Sequence, residues 1–251
     1  MKILVADSYE AMSRKTVDIV EDCLGKKPDA LISFPGGHTP IRLIEMFVED
    51  VCQKKVDITH ARFVQLDDWI GIGPDDYGSC SNFILTNLLR KMPVSFQDVF
   101  LFNGKDADID GQLKGQDDFI RKYGPIDVDI LGIGLNGHLG FNENGVDFSL
   151  RSHRMPLSDT TKRIQSKYFN GRRVGLTEGI TMGIAQIMES KCPIVIANGA
   201  HKADIIYQMV TAPVTREVPA TVLKNHENSI LLLDRDAASR LSETSAYVEY
   251  V

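Results

Sequence analysis

Cysteine is scarce and scattered in this chain. The four residues Cys23, Cys52, Cys80 and Cys192 form neither a Cys-x-x-Cys pair nor a zinc-type spacing, so a disulfide framework and a thiolate metal centre are excluded as organising features, and reduced, structural thiols are expected. Long hydrophobic runs are also missing. The longest uncharged apolar stretches, such as Ala30 to Phe34 and Pro193 to Ala197, fall far short of the roughly 20 residues that cross a bilayer. The opening Met1-Lys2-Ile3-Leu4-Val5-Ala6-Asp7 meets an acid too early for a signal-peptide core, so a cytoplasmic protein with no membrane partner is expected. Nor is positive charge in excess. Lys plus Arg total 28 against 34 Asp plus Glu, for a net charge of -6, which argues against nucleic acid as an obligatory partner. Any anion site must be local.

What is present is an alternation of two periods. Short apolar runs occur at Ile3-Leu4-Val5, Ala30 to Phe34, Phe63 to Leu66, Val128 to Ile133, Ile194 to Ala197 and Ile230 to Leu233, and they read as buried strands. Between them lie Tyr9 to Leu24, Pro40 to Gln53, Ser81 to Arg90, Ile109 to Tyr123, Gly179 to Ser190, Lys202 to Thr211 and Ala237 to Thr244, whose apolar residues recur every three or four positions. This pattern predicts an α/β fold: an open, mostly parallel, doubly wound sheet with helices on both faces, in a single domain over 1–251. Ligands of such sheets bind beyond the carboxyl ends of the strands, so the residues that follow each run are the place to look for chemistry.

Four of these turns carry candidates. After the run ending at Phe34 comes Pro35-Gly36-Gly37-His38-Thr39-Pro40, where two glycines free the backbone, Thr39 is the expected N-cap, and backbone N–H groups can meet a phosphate. A plain capped turn would look the same. After Leu66 comes Asp67-Asp68-Trp69, paired acids beside the only Trp of the chain. An apolar wall there can raise one carboxyl toward the range of a general base, although an Asp capping the next turn fits equally.

The segment Val128 to Glu143 reads V-D-I-L-G-I-G-L-N-G-H-L-G-F-N-E. Gly132, Gly134 and Gly137 make a literal G-x-G-x-x-G, but a dinucleotide fingerprint must open a helix, and His138, Gly140, Asn142 and Gly145 read as a loop. His138, with Glu143 five residues on and Asn136 two residues before, suits a proton shuttle, with a structural histidine as the plain alternative. The other histidines are single, which disfavours a metal. The fourth turn, Asn198-Gly199-Ala200-His201-Lys202, puts a Lys at a helix start, where a cation opposes the helix dipole unless an anion lies between them.

The stretches Leu66 to Trp69, Gly132 to Glu143, Gly179 to Ile184 and Pro219-Ala220-Thr221 resemble the glucosamine-6-phosphate deaminase family, including its galactosamine-6-phosphate deaminase/isomerase branch, and more distantly 6-phosphogluconolactonase. The likeness extends over nearly the whole chain. It implies that Asp67 moves a proton between C2 and C1 of an amino-sugar phosphate, that His138 assists ring opening, and that Glu143 and Asn136 orient His138. Phosphate binding would fall to Gly36, Gly37, His38, Thr39, Lys202 and Lys167, with no metal or cofactor and with the oligomeric state open.

Several positions depart from the family pattern. Asn136 stands where many deaminases have Asp, Lys167 where an Arg is usual and His38 where Gly is typical. Trp69, with Gly78-Ser79-Cys80 downstream, resembles the galactosamine branch. The sugar epimer therefore stays open, and a lactonase or a non-catalytic sugar-phosphate sensor are the alternative functions.

Overall fold

The computed structural model describes residues 1–95, 98–172, 174–241 and 248–251. Its frame is an eight-stranded sheet in the order β11-β1-β10-β9-β6-β2-β3-β5, parallel throughout. The strands are β1 (Lys2–Ala6), β2 (Leu31–Phe34), β3 (Arg62–Gln65), β5 (Val99–Phe100), β6 (Val128–Gly132), β9 (Pro193–Ala197), β10 (Ile230–Asp234) and β11 (Val248–Tyr250). The six runs of the sequence became its six inner strands, and the short edge strands β5 and β11 carried no apolar run long enough to be seen.

Alternation along each strand divides the core in two. Leu4, Ile32, Phe63, Ile130, Ile196 and Leu232 face α1 (Tyr9–Lys26), α2 (Ile41–Cys52) and α3 (Cys80–Asn87). Val5, Leu31, Val64, Leu131, Val195 and Leu231 face α4 (Ile109–Tyr123), α6 (Ile184–Glu189) and α7 (Ala203–Thr211). Each such side chain contributes roughly 1.5–3 kcal/mol by leaving water. Local signals set the helix ends: Ser8 caps α1 by accepting from Ala11 N at 3.1 Å, and Asp108 caps α4 through Gly111 N at 2.8 Å.

From β2 the chain runs outward to β3 and β5, and from β6 it returns the other way to β9 and β10. The switch point therefore lies between β2 and β6, where the connections diverge and leave a crevice.

A second, antiparallel sheet of three strands was not expected. It consists of β4 (Asp67–Trp69), β8 (Glu178–Thr181) and β7 (His153–Pro156). Residues 179–181 of β8 fall in the segment expected to be helical from Gly179 to Ser190, and they are strand instead. A side chain at Gly179 would fall 2.3 Å from the Phe141 ring, and one at Gly183 would fall 2.0 Å from the Leu150 carbonyl. These close approaches select glycine at both positions, the strand is held by pairing with β4 and β7 on either side, and only Ile184–Glu189 is helical. The expected helix Ala237 to Thr244 is turn over 237–240 and a bend at Leu241, with 242–244 outside the described residues. A short helix α5 (Asp159–Ile164) and a 3-10 segment Pro219–Asn225 complete the part that bears on the site.

Candidate active site

Only Leu66 separates β3 from β4, so the chain passes from the large sheet into the small one just beyond the crevice, and Asp67 stands there. Its carboxyl lines a cavity of about 120 Å³ together with Gly36 to Thr39, Gly132, Gly134, His138, Gly140, Tyr168 and Lys202. Burial first, and the Asp68 charge second, push Asp67 up to about 7, with the Cys80 thiol pulling weakly the other way. That places a carboxyl in the range of a neutral-pH base. Asp68 faces away and is fully buried. It accepts from Cys80 N and Ser81 N at 2.9 Å each and from Ser79 Oγ at 2.8 Å, so the two acids divide the roles that the sequence left open: one lines the cavity and the other caps α3.

The loop after β6 carries the second group. No helix opens there, since the next one, α5, begins at Asp159, so the glycines serve another purpose than a dinucleotide. A side chain at Gly134 would lie 2.3 Å from His138 Cε1, which means that the imidazole packs flat against the Gly134 backbone. Gly137 takes a positive φ of 83°, open to glycine at low cost. His138 Nδ1 stands 3.3 Å from Glu143 Oε2, at ion-pair distance but off the line of a hydrogen bond.

Asn136 touches Glu143 rather than His138, donating from Nδ2 to Oε2 at 2.8 Å. The other Glu143 oxygen accepts from Ser158 N at 3.2 Å and from the Thr161 hydroxyl. Burial alone would push the Glu143 carboxyl up, yet His138, Thr161 and Asn136 together hold it down at about 2. Glu143 is thus a fixed anion behind the imidazole.

The turn after β2 is the third group. Pro40, not Thr39, occupies the N-cap position of α2, and it has no side-chain cap. Among the described residues no partner accepts the N–H of Gly37, His38 or Thr39, so this turn brings three free donors to the lining of the cavity, just before α2. Tyr9 fastens the turn by donating to the Thr39 carbonyl at 2.9 Å and accepting from Arg42 N at 3.1 Å.

Lys202 precedes α7 and enters the same cavity, where Nζ donates to the Ile133 carbonyl at 2.6 Å. Burial, with the Lys167 charge nearby, brings its ammonium down to about 8. That carbonyl answers in part the expectation that an anion must offset a cation at this helix start. Lys167 is exposed and lies outside the cavity, in an adjoining groove of about 370 Å³ beyond Tyr168 and His38. Tyr168 forms the wall between the two, 5.6 Å from the His38 ring centre and 5.9 Å from that of Trp69. Its hydroxyl is pushed up to about 12 by burial and by Cys80 and Asp67.

Ser158, Thr161, Tyr9 and Tyr168 were not singled out in the sequence. The Ser158–Thr161 pair carried a faint signal as an N-cap, since Thr161 N donates to Ser158 Oγ at 3.2 Å, but nothing local ties it to Glu143. Pro219-Ala220-Thr221 finds its place as a brace, because Ala220 N donates to the Gly137 carbonyl at 2.9 Å. No group of three or more potential metal ligands occurs among the described residues.

A carboxyl near neutrality, a histidine backed by a fixed carboxylate, and a donor-rich turn with a lysine beside it around one switch-point crevice define an α/β protein equipped for proton transfer on a small anionic molecule. Residues 5–232 match the family of glucosamine-6-phosphate isomerases and 6-phosphogluconolactonase, and the chain belongs to that family. It is 34% identical to a glucosamine-6-phosphate deaminase of Geobacillus sp. (strain WCH70) over 95% of each chain. It is also 34% identical to glucosamine-6-phosphate deaminase 2 of Bacillus subtilis (strain 168), over 98% of this chain and 99% of that one. A solved structure described as a monomeric glucosamine-6-phosphate deaminase superposes with a TM-score of 0.91 at 28% identity, covering 95% of this chain and 99% of that one. The 6-phosphogluconolactonase of Trypanosoma brucei shares the fold, with a TM-score of 0.78 at 20% identity and coverage of 96% and 98%.

Proposed function

We propose that the protein is an amino-sugar 6-phosphate deaminase/isomerase that converts a hexosamine 6-phosphate and water to the ketose 6-phosphate and ammonia. The observation that carries this reading is the placement of Asp67 and His138 on one cavity with the open N–H groups of the 37–39 turn and the Lys202 ammonium. The turn and Lys202 hold the phosphate, and His138, oriented by Glu143, moves the proton that opens the pyranose to the free aldehyde. Asp67 then takes the C2 proton to leave an enolamine and returns it to C1. The resulting C2 iminium adds water and releases ammonia, so no redox partner is required. Asn136 acts through Glu143. Lys167, in the adjoining groove beyond Tyr168, is the second cation near Lys202.

The names of the relatives favour glucosamine 6-phosphate as the substrate. Ammonia release should therefore be measured side by side with glucosamine and galactosamine 6-phosphates. Turnover of either supports the reading, and failure with both sinks it. Asp67→Asn keeps the shape but loses the base, so kcat should fall by about 10²–10⁴-fold with sugar-phosphate binding kept. A variant retaining more than about a tenth of the wild-type kcat removes Asp67 from the mechanism.

A further inference from the structure

We propose that Asp68 is a positioning residue for Asp67: its carboxylate clamps the strand that carries the base to the start of α3 and keeps a fixed negative charge behind it. The inference rests on the deaminase reading for the identity of the base. Asp68 Oδ1 accepts from Trp69 N at 2.8 Å and Cys80 N at 2.9 Å. Oδ2 accepts from Ser79 Oγ at 2.8 Å, Ser81 N at 2.9 Å, Ser81 Oγ at 2.5 Å and, more distantly, Gln65 Nε2 at 3.4 Å. Main-chain N–H groups can only donate, so three of these contacts require lone pairs, and the positive end of the eight-residue α3 adds to the demand for an anion. Burial pushes this carboxyl up, but the donor set is that of a carboxylate, as expected when several N–H groups converge on one buried acid.

The clamp reaches the base through the main chain on both sides. Gln65 Nε2 donates to the Asp67 carbonyl at 2.6 Å, while Gln65 Oε1 accepts from Phe102 N at 2.8 Å and lies 2.9 Å from Ser81 Oγ. Gln65, Asp68 and Ser81 thus form one buried unit that holds the main chain on either side of the Asp67 side chain. The titratable groups around Asp67 are Asp68, next to it on its own strand with its carboxylate turned to α3, Cys80 of α3, Tyr168 beyond α5, His138 of the β6 loop and Lys202 before α7. Of these Asp68 is the anion, and two adjacent carboxylates in a dry site ionise in sequence. With Asp68 ionised first, Asp67 is the acid that titrates in the working range.

The decisive comparison is the pH profile of kcat in Asp68→Asn and in Ser79→Ala, which removes one donor but keeps the charge. Asp68→Asn should move the acid limb down by about one pH unit or more and lower the plateau kcat, with KM little changed. Ser79→Ala should leave the limb in place. If Asp68→Asn loses thermal stability and kcat with its limb unmoved, Asp68 is a structural cap and the proposal is overturned. Should Asp68→Asn fail to fold, carbon-13 NMR titration of the aspartate carboxyls in the wild-type protein decides: Asp68 ionising below Asp67 supports the proposal, and the reverse order overturns it. That titration needs no substrate, so failure of the deaminase assay and failure of this inference remain distinguishable.

Discussion

At the scale of single residues the site depends on side chains that are missing as much as on those present. Gly134 has an ordinary φ, and its lack of a Cβ is what admits the His138 ring. Gly134→Ala should therefore leave the backbone in place and displace the imidazole. A displacement of about 1 Å commonly costs on the order of 10²-fold in rate, so kcat should fall by that order while near-UV circular dichroism stays native. An unchanged kcat would mean that the ring has room to move without consequence. The same residue explains how the site was legible. His138, Glu143 and Asp67 are short-range signals, because a histidine among glycines and paired acids at a strand end are visible without knowing the fold. Ser158, Thr161 and Tyr9 reach the site across 15, 18 and about 30 positions of chain. Their contacts exist only once the sheet has brought the loops together, and no local pattern announces them.

At the scale of elements, β6 and β2 carry an anomaly. Asp129 and Ser33 are register partners, both fully buried, and among the described residues neither Asp129 oxygen nor the Ser33 hydroxyl has a hydrogen-bond partner. Burial pushes the Asp129 carboxyl up to about 7, with the nearby Ser33 opposing too weakly. A raised carboxyl favours the folded state while it is protonated. Its contribution is complete below the ordinary value of 3.8 and is lost as pH rises toward about 7, a change worth up to about 4 kcal/mol. Asp129→Asn should flatten this part of the curve, so chemical denaturation at pH 5 and pH 8 should show a smaller loss of stability in the variant than in the wild type. Equal losses would show that Asp129 ionises without penalty. The apolar signal of both strands was strong enough to be read past these polar residues. The signal of 178–190 was not, because Ile180, Met182, Ile184 and Ile187 fit a strand followed by a helix as well as one helix. Only the pairing of β8 between β4 and β7, which is long-range, decides between them.

At the scale of the whole molecule, a net charge of -6 surrounds a crevice that sets the Lys202 ammonium and the N–H groups of the 37–39 turn opposite the Asp67 carboxyl, and two of its titrations lie close together. In the free protein Asp67 must be deprotonated to act as a base, which happens as pH rises through about 7. Lys202 must be protonated to hold a phosphate, which fails as pH rises through about 8. The profile of kcat/KM reports these free-enzyme groups, so it should be a narrow bell with its acid limb near 7 and its alkaline limb near 8. Lys202→Ala should raise KM for the phosphorylated sugar and remove the alkaline limb, leaving the acid limb untouched. Asp67 and Lys202 lie 135 positions apart in the chain and meet only because β3 and β9 end on the same side of the sheet, flanking the switch point. If the alkaline limb persists in Lys202→Ala, another group holds the phosphate, and Lys167 in the adjoining groove is the next cation to remove.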